Sequence, residues 1–199
     1  MITRILKKYN ELSLPIKATF WFTLCNFVLK GISFITVPLF TRFLSTEEYG
    51  KMSIYYSYEQ IILIFATFEL SLGAYMRGII KYKKELKNYT SSLLLLSTII
   101  TVVVFLIFYP FRNVFEKLTG TSQVIFYLMF IFFILQPAYN CWLNRKRFEY
   151  SYKSAVIMTL LFTCFTTIIP LLSIIIFGKT ANIKISTMLI IEILFCIPF

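Results

Sequence analysis

Histidine and aspartate are missing altogether from the 199 residues, and charged residues make up only 15% of them. Without His the chain lacks the usual general base and the commonest metal ligand. Its nine acids are all glutamates. No Gly-rich phosphate loop is present and no nucleophile has a base beside it, so an enzyme has no support and no cofactor or metal is expected. Cys25, Cys141, Cys164 and Cys196 lie in apolar stretches without paired spacing. That pattern excludes a zinc site or a disulfide framework and reads as buried free thiols. The low charge excludes a soluble domain, which carries roughly a quarter charged residues. A cleavable leader is not expected either, because no small-residue cleavage site follows the first hydrophobic run.

Apolar sequence is what the chain has in abundance: 58% hydrophobic and 19% aromatic residues, with a mean hydropathy of +0.77. Runs near 20 residues recur, each long enough to cross a hydrocarbon core about 30 Å thick. Six spans are predicted, at 16–41, 52–76, 90–109, 122–143, 154–177 and 183–199, forming one all-α, multi-pass helix bundle over residues 1–199. Helices follow because every backbone N–H and C=O must be satisfied within its own segment in lipid. The runs are too long for barrel strands and do not alternate. Pro15 suits a first helical turn. Ser45-Thr46-Glu47-Glu48 reads as a capping box, with Ser45 as the cap and Glu48 reaching back to it. Pro110 and Gly178 close the third and fifth spans. Pro38, Pro137 and Pro170 fall inside spans, where kinks are expected.

The net charge of +11 would point to nucleic acid in a soluble protein. Here the basic residues sit in short loops, which is how membrane topology is encoded, so no nucleic-acid partner is expected. The N-terminal region carries Arg4, Lys7, Lys8 and Lys17, and the second-to-third connection carries Arg77, Lys81, Lys83, Lys84 and Lys87. With Arg145, Lys146, Arg147 and Lys153 after the fourth span, one side holds thirteen. The other holds six: Arg42, Lys51, Arg112, Lys117, Lys179 and Lys184. The imbalance places the N-terminus in the cytoplasm of a cell-membrane protein. Ile2, Ile5, Leu6 and Tyr9 would share one face of a short helix opposite Lys7, which fits either an interfacial helix on anionic lipid or a frayed end.

The informative residues are polar ones inside spans. Lys30, near the middle of the first span, costs about 2.5–3.5 kcal/mol on insertion scales and is expected to face protein or water. At 100° per residue Thr19, Thr23, Asn26, Lys30 and Ser33 form a polar stripe with it. In the second span, Glu59, Glu69 and Arg77 lie within an arc of roughly 80° on a helical wheel. Antiparallel packing then sets Lys30 at a depth between the two glutamates, so that a Lys30–Glu59 or Lys30–Glu69 pair is expected. Such a group either fixes helix packing or lines a hydrated path for an anion or a coupling ion. Thr159, Thr163, Thr166, Pro170 and Ser173 share a face of the fifth span and read as packing, with a cavity lining around a Pro170 kink as the alternative.

The N-terminal hundred residues resemble the bacterial polysaccharide-export and O-antigen repeat-unit flippases of the multidrug/oligosaccharidyl-lipid/polysaccharide exporter superfamily. The resemblance is carried by Ile35-Thr36-Val37-Pro38-Leu39-Phe40-Thr41-Arg42-Phe43-Leu44 and Ser45-Thr46-Glu47-Glu48-Tyr49-Gly50. Leu70-Ser71-Leu72-Gly73-Ala74-Tyr75-Met76-Arg77 and the basic run Lys81–Lys87 also carry it. It implies transport of an undecaprenyl-pyrophosphate-linked oligosaccharide across the cytoplasmic membrane, for surface polysaccharide such as O-antigen or capsule. Charge and depth make Lys30, Arg77 and Asn26 the candidate substrate-binding residues, and Glu59 and Glu69 the candidate ion-coupling ones. An isolated anion is costly in hydrocarbon, so a charged headgroup needs a hydrated cationic route. Such flippases are two-lobed and about twice this length, which implies a single lobe here, with a second lobe or a second copy as partner alongside the lipid-linked substrate and membrane lipids. An exporter of other lipids or drugs, and a scaffold subunit of a polysaccharide-assembly complex, are the competing readings.

Overall fold

The computed structural model describes residues 13–199. The face proposed for Ile2, Ile5, Leu6 and Tyr9 lies outside the described residues. Among those described there are helices and turns and no strand. In chain order the helices are α1 (Leu14–Phe43), α2 (Thr46–Thr67), α3 (Gly73–Lys81), α4 (Leu86–Phe108), α5 (Arg112–Thr119), α6 (Gln123–Phe148), α7 (Tyr152–Phe177) and α8 (Ala181–Cys196). The all-α bundle is as expected.

α6 is the core helix. Half of its apolar window is buried, against 6% for α1. Phe126, Phe130 and Phe133 recur at helical spacing on its inner face. They meet Phe105 of α4, 5.1 Å from Phe130 between ring centres, and Phe115 of α5, 5.5 Å from Phe126. Such offset and edge contacts suit aromatic quadrupoles. α8 lies against both α6 and α7, and α1 packs mainly on α7. Much of the remaining apolar surface is open, including Phe27 at 78% and Phe34 at 81% exposed. In water such a surface would aggregate; lipid is the solvent that covers it. The chain is a membrane protein.

Among the described residues four helical stretches, not six, are long and apolar enough to cross a membrane: Leu14–Phe43, Lys83–Thr119, Gln123–Phe148 and Tyr152–Phe177. α2 and α8 fall short for different reasons. α2 opens on Glu47, Glu48 and Lys51, holds Glu59, and stops at Thr67. α8 has 16 residues, about 24 Å of helix against a core of about 30 Å.

The second span is also broken, which the sequence reading missed. Phe68 and Glu69 adopt left-handed φ of 46° and 51°, and helix resumes only at Gly73. Side chains repair the break. Thr67 Oγ1 donates to Leu63 O (3.0 Å) and accepts from Glu69 N (3.2 Å). Leu70 N turns back to Thr67 O, so Ala66 O loses its usual i+4 donor and takes Thr101 Oγ1 of α4 instead (2.8 Å). Asn144 Nδ2 of α6 donates to Ser71 O (2.9 Å). Two carbonyls orphaned by the break are thus capped from neighbouring helices.

The end near Ser45 is lashed together. Ser45 Oγ accepts from Glu48 N (3.3 Å), as a cap should. Glu48 does not reach back, however. Its carboxylate takes Lys51 Nζ (2.7 Å) and Ala181 N (2.6 Å), tying α2 to the first turn of α8. The Lys51 ammonium and the Ala181 N–H hold this carboxyl below its ordinary range. Asn182 Oδ1 likewise accepts from Ser122 N (3.1 Å). Pro110 and Gly178 end their helices as expected, whereas α1, α6 and α7 run on through Pro38, Pro137 and Pro170.

Candidate functional site

The charges that the fold buries lie between α2 and α8. On α2, Met52, Tyr55, Glu59, Ile62 and Ala66 repeat at helical spacing along the inner face, so Glu59 is carried inward with its apolar neighbours. On α8, Lys184, Met188 and Glu192 lie four apart on one stripe that faces it. Glu59, Lys184 and Glu192 are 4%, 6% and 8% exposed.

Lys184 Nζ donates to Tyr56 Oη (2.6 Å), which donates onward to Met188 Sδ (3.1 Å). The ammonium also sits 4.5 Å and 4.6 Å from the ring centres of Phe40 and Tyr56. Two aromatic faces and a phenol oxygen therefore partly replace its water. No carboxylate lies within ion-pair distance of it among the described residues. Glu192 Oε2 is buried without a hydrogen-bond partner.

Glu59 and Glu192 line a cavity of about 280 Å³ together with Tyr56, Gln60, Gln136 and Asn140. On the other side of Tyr56, a second cavity of about 310 Å³ is lined by Ser33, Thr36, Tyr49, Ser53, Thr167 and Lys184. The Tyr56–Lys184 contact stands between the two. Two buried carboxylates facing a polar cavity are costly unless neutralised, and a proton or a small monovalent cation is what can neutralise them. Their oxygens, with the Gln and Asn amides, are hard ligands of that kind.

The expected site residues separate. Glu59 is buried in the cavity just described. Lys30 and Asn26 are exposed on α1, Arg77 is exposed on α3, and half-buried Glu69 sits in the break. Neither the Lys30–Glu59 nor the Lys30–Glu69 pair forms. The reason is local: the break rotates Glu69 and Arg77 off the Glu59 face, and α1 leans on α7 rather than α2. Asn26 lines a groove of about 380 Å³ with Thr19, Cys25, Arg147, Tyr150 and Thr159.

Lys184 and Glu192 escaped the sequence reading. Lys184 was counted with the outer loops, yet it is buried in the bundle. The signal was present: a Lys and a Glu eight apart in an apolar run occupy one helix face and deserve the same suspicion as Lys30. The threonines of α7 donate to their own preceding turn, Thr159 to Ala155 O (2.8 Å), Thr163 to Thr159 O (3.0 Å) and Thr166 to Phe162 O (2.8 Å). That is the packing role expected of them.

No curated protein and no solved structure matches the chain significantly. A family model described as polysaccharide biosynthesis protein matches residues 16–197, which take in all eight helices but for the first two residues of α1. With its apolar helices and buried polar interior, the chain belongs to the polysaccharide biosynthesis protein family.

Proposed function

We propose that the chain is a multi-pass transporter of the bacterial cytoplasmic membrane, N-terminus inside, that flips undecaprenyl-pyrophosphate-linked oligosaccharide repeat units for surface polysaccharide such as O-antigen or capsule. It is a carrier and not an enzyme. The observation that carries the reading is the pairing of a family match over residues 16–197 with charged groups buried in an apolar bundle. A protein of polysaccharide biosynthesis that spans lipid, and holds two carboxylates and a lysine inside, has the parts for moving a charged substrate against an ion.

Within that reading Lys30, Asn26 and Arg77 contact the anionic substrate, and Glu59 couples transport to a proton or cation. Glu69, which the break removes from the cavity, has the weaker case. A second lobe or a second copy completes the path, since alternating access needs two halves that rock against each other.

The test is export. Cells depleted of the protein should accumulate lipid-linked repeat unit on the cytoplasmic side, measured by extraction and mass spectrometry. Lys30→Ala and Glu59→Gln should each slow the appearance of surface polysaccharide. Normal surface polysaccharide after depletion sinks the proposal.

A further inference from the structure

We propose that Lys184 is a built-in counter-cation for the cavity of Glu59 and Glu192: its ammonium swings from Tyr56 onto those carboxylates, and one metal cation of the sodium class, on binding there, returns it to Tyr56. The inference rests on the transport reading only for what the ion drives.

The three charges lie in one file. Lys184, Met188 and Glu192 recur every four residues on α8, so the ammonium and the second carboxylate share a stripe with about 12 Å of helix rise between them. Glu59 lines the same cavity from α2. Lys184 and the two carboxylates are within electrostatic reach of one another. The lysine nevertheless lines the other cavity, beyond Tyr56, and pairs with neither. Burying an ammonium without a carboxylate partner is costly, and two ring faces and a phenol oxygen offset that only in part. Packing alone therefore does not account for it.

Its present contacts are ones that a cation can leave. Tyr56 Oη is the pivot: it accepts from Lys184 Nζ (2.6 Å), donates to Met188 Sδ (3.1 Å), and its side chain lines both cavities. Met188 stands in the way, and its unbranched thioether chain repacks readily. The lysine stem is flexible and its three donors rotate. At the destination Glu192 Oε2 is buried without a hydrogen-bond partner, an acceptor that the arriving ammonium would satisfy.

Charge sets the class of ion. No other charged residue lines either cavity. Two carboxylates and one ammonium sum to a single negative charge, which one monovalent cation neutralises and a divalent one overshoots. Carboxylate oxygens with the side-chain carbonyls of Gln136 and Asn140 are hard donors, suited to a sodium-class ion rather than a soft metal. Such an ion between the carboxylates repels the ammonium, and the seat against Tyr56 and Phe40 receives it.

The test treats the whole chain in detergent with a hydrophobic carbodiimide, which joins an amine to a carboxyl only where the two touch, and reads the joined peptides by mass spectrometry. In choline chloride Lys184 should be joined to Glu192 or Glu59, and in sodium chloride that product should fall at least about fivefold. Sodium binding, followed by titration calorimetry, should tighten at least about fivefold in Lys184→Met and be lost in Glu192→Gln. No joined peptide in either salt, or the same yield in both, overturns the switch, and neither result depends on a variant folding. Unchanged sodium affinity in Lys184→Met would overturn it too. Normal export after depletion, with the sodium-sensitive product intact, would refute transport and keep the switch. Lost export with no joined peptide in either salt would do the reverse.

Discussion

Thr101→Val should destabilise the protein although it changes neither the volume of the side chain nor its apolar contacts. Thr101 is fully buried, and its hydroxyl lies 2.8 Å from Ala66 O and 2.9 Å from Ser97 O. Ser97 O keeps its intrahelical backbone partner when the hydroxyl goes. Ala66 O does not, because Leu70 N is bonded to Thr67 O. Leaving a buried carbonyl unpaired costs about 1–3 kcal/mol. Asn144→Leu should cost a similar amount by stranding Ser71 O, less whatever is regained by removing the Asn carbonyl itself. The two variants cap different carbonyls of one break, so the double variant should lose roughly 2–4 kcal/mol, with some coupling. Thermal unfolding in detergent should drop by roughly 2–4 °C per kcal/mol for a chain of this size. Hydrogen exchange supplies the specific readout: amides between residues 64 and 76 should exchange faster in both variants while those of α7 do not change. If both melt within 1 °C of wild type and exchange there is unaltered, the carbonyls have other partners and the capping account is wrong.

Gly78→Ala should be poorly tolerated, because an added Cβ would overlap the Tyr89 ring, whose hydroxyl donates to Ala74 O (2.9 Å). A loss of about 1–3 kcal/mol is expected, partly restored by Tyr89→Ala in the same chain, as read by a double-mutant cycle of melting temperatures. Glu48 has a folded pKa below its unfolded value, so its contribution to stability is full above the unfolded pKa of about 4.3 and is lost as pH falls through the folded one. Below about pH 4.3 wild type should therefore lose stability faster than Glu48→Gln; parallel pH profiles would remove the α2–α8 tie from the account. Lys184→Met replaces a buried cation, which no carboxylate pairs and which only Tyr56 and the Phe40 ring accommodate, by an apolar side chain of similar length, so melting in detergent should show stability unchanged or raised by about 1–4 kcal/mol. If uptake of a coupling ion into reconstituted vesicles is unchanged in that variant, the Tyr56–Lys184 wall has no part in ion passage.

Much of the architecture could be read from hydropathy because lipid leaves the backbone one choice. The ends of α4, α6 and α7 fall within a few residues of expectation, set by Pro110, Gly178 and the basic run at 145–147. The break after Thr67 was invisible because Phe68, Glu69 and Leu70 carry no turn signal; what stabilises it is Thr101 and Asn144, far along the chain. The expected arc of Glu59, Glu69 and Arg77 is interrupted at the same point. Wheel geometry grouped Glu59 with Glu69 and Arg77 on the premise of one rigid helix, and a tertiary cap voided that premise. Of the charged residues singled out in the sequence as site residues, Glu59 alone is buried in the bundle, and its burial follows from local spacing. Lys184 and Glu192 needed knowledge that α8 packs across α2, which no short-range pattern contains.

The pair of left-handed residues at Phe68 and Glu69 has one more consequence. In an unbroken helix, inserting a residue turns everything beyond it by about 100° and would swing the inner face of the whole segment outward. Here the angular phase is reset at the interruption. A residue added between Phe68 and Gly73 is absorbed before it reaches α3, and one lost there leaves Glu59 where it was. The position of Glu59 thus does not depend on the phase of α3, which is set by its own contacts with α4 and α6.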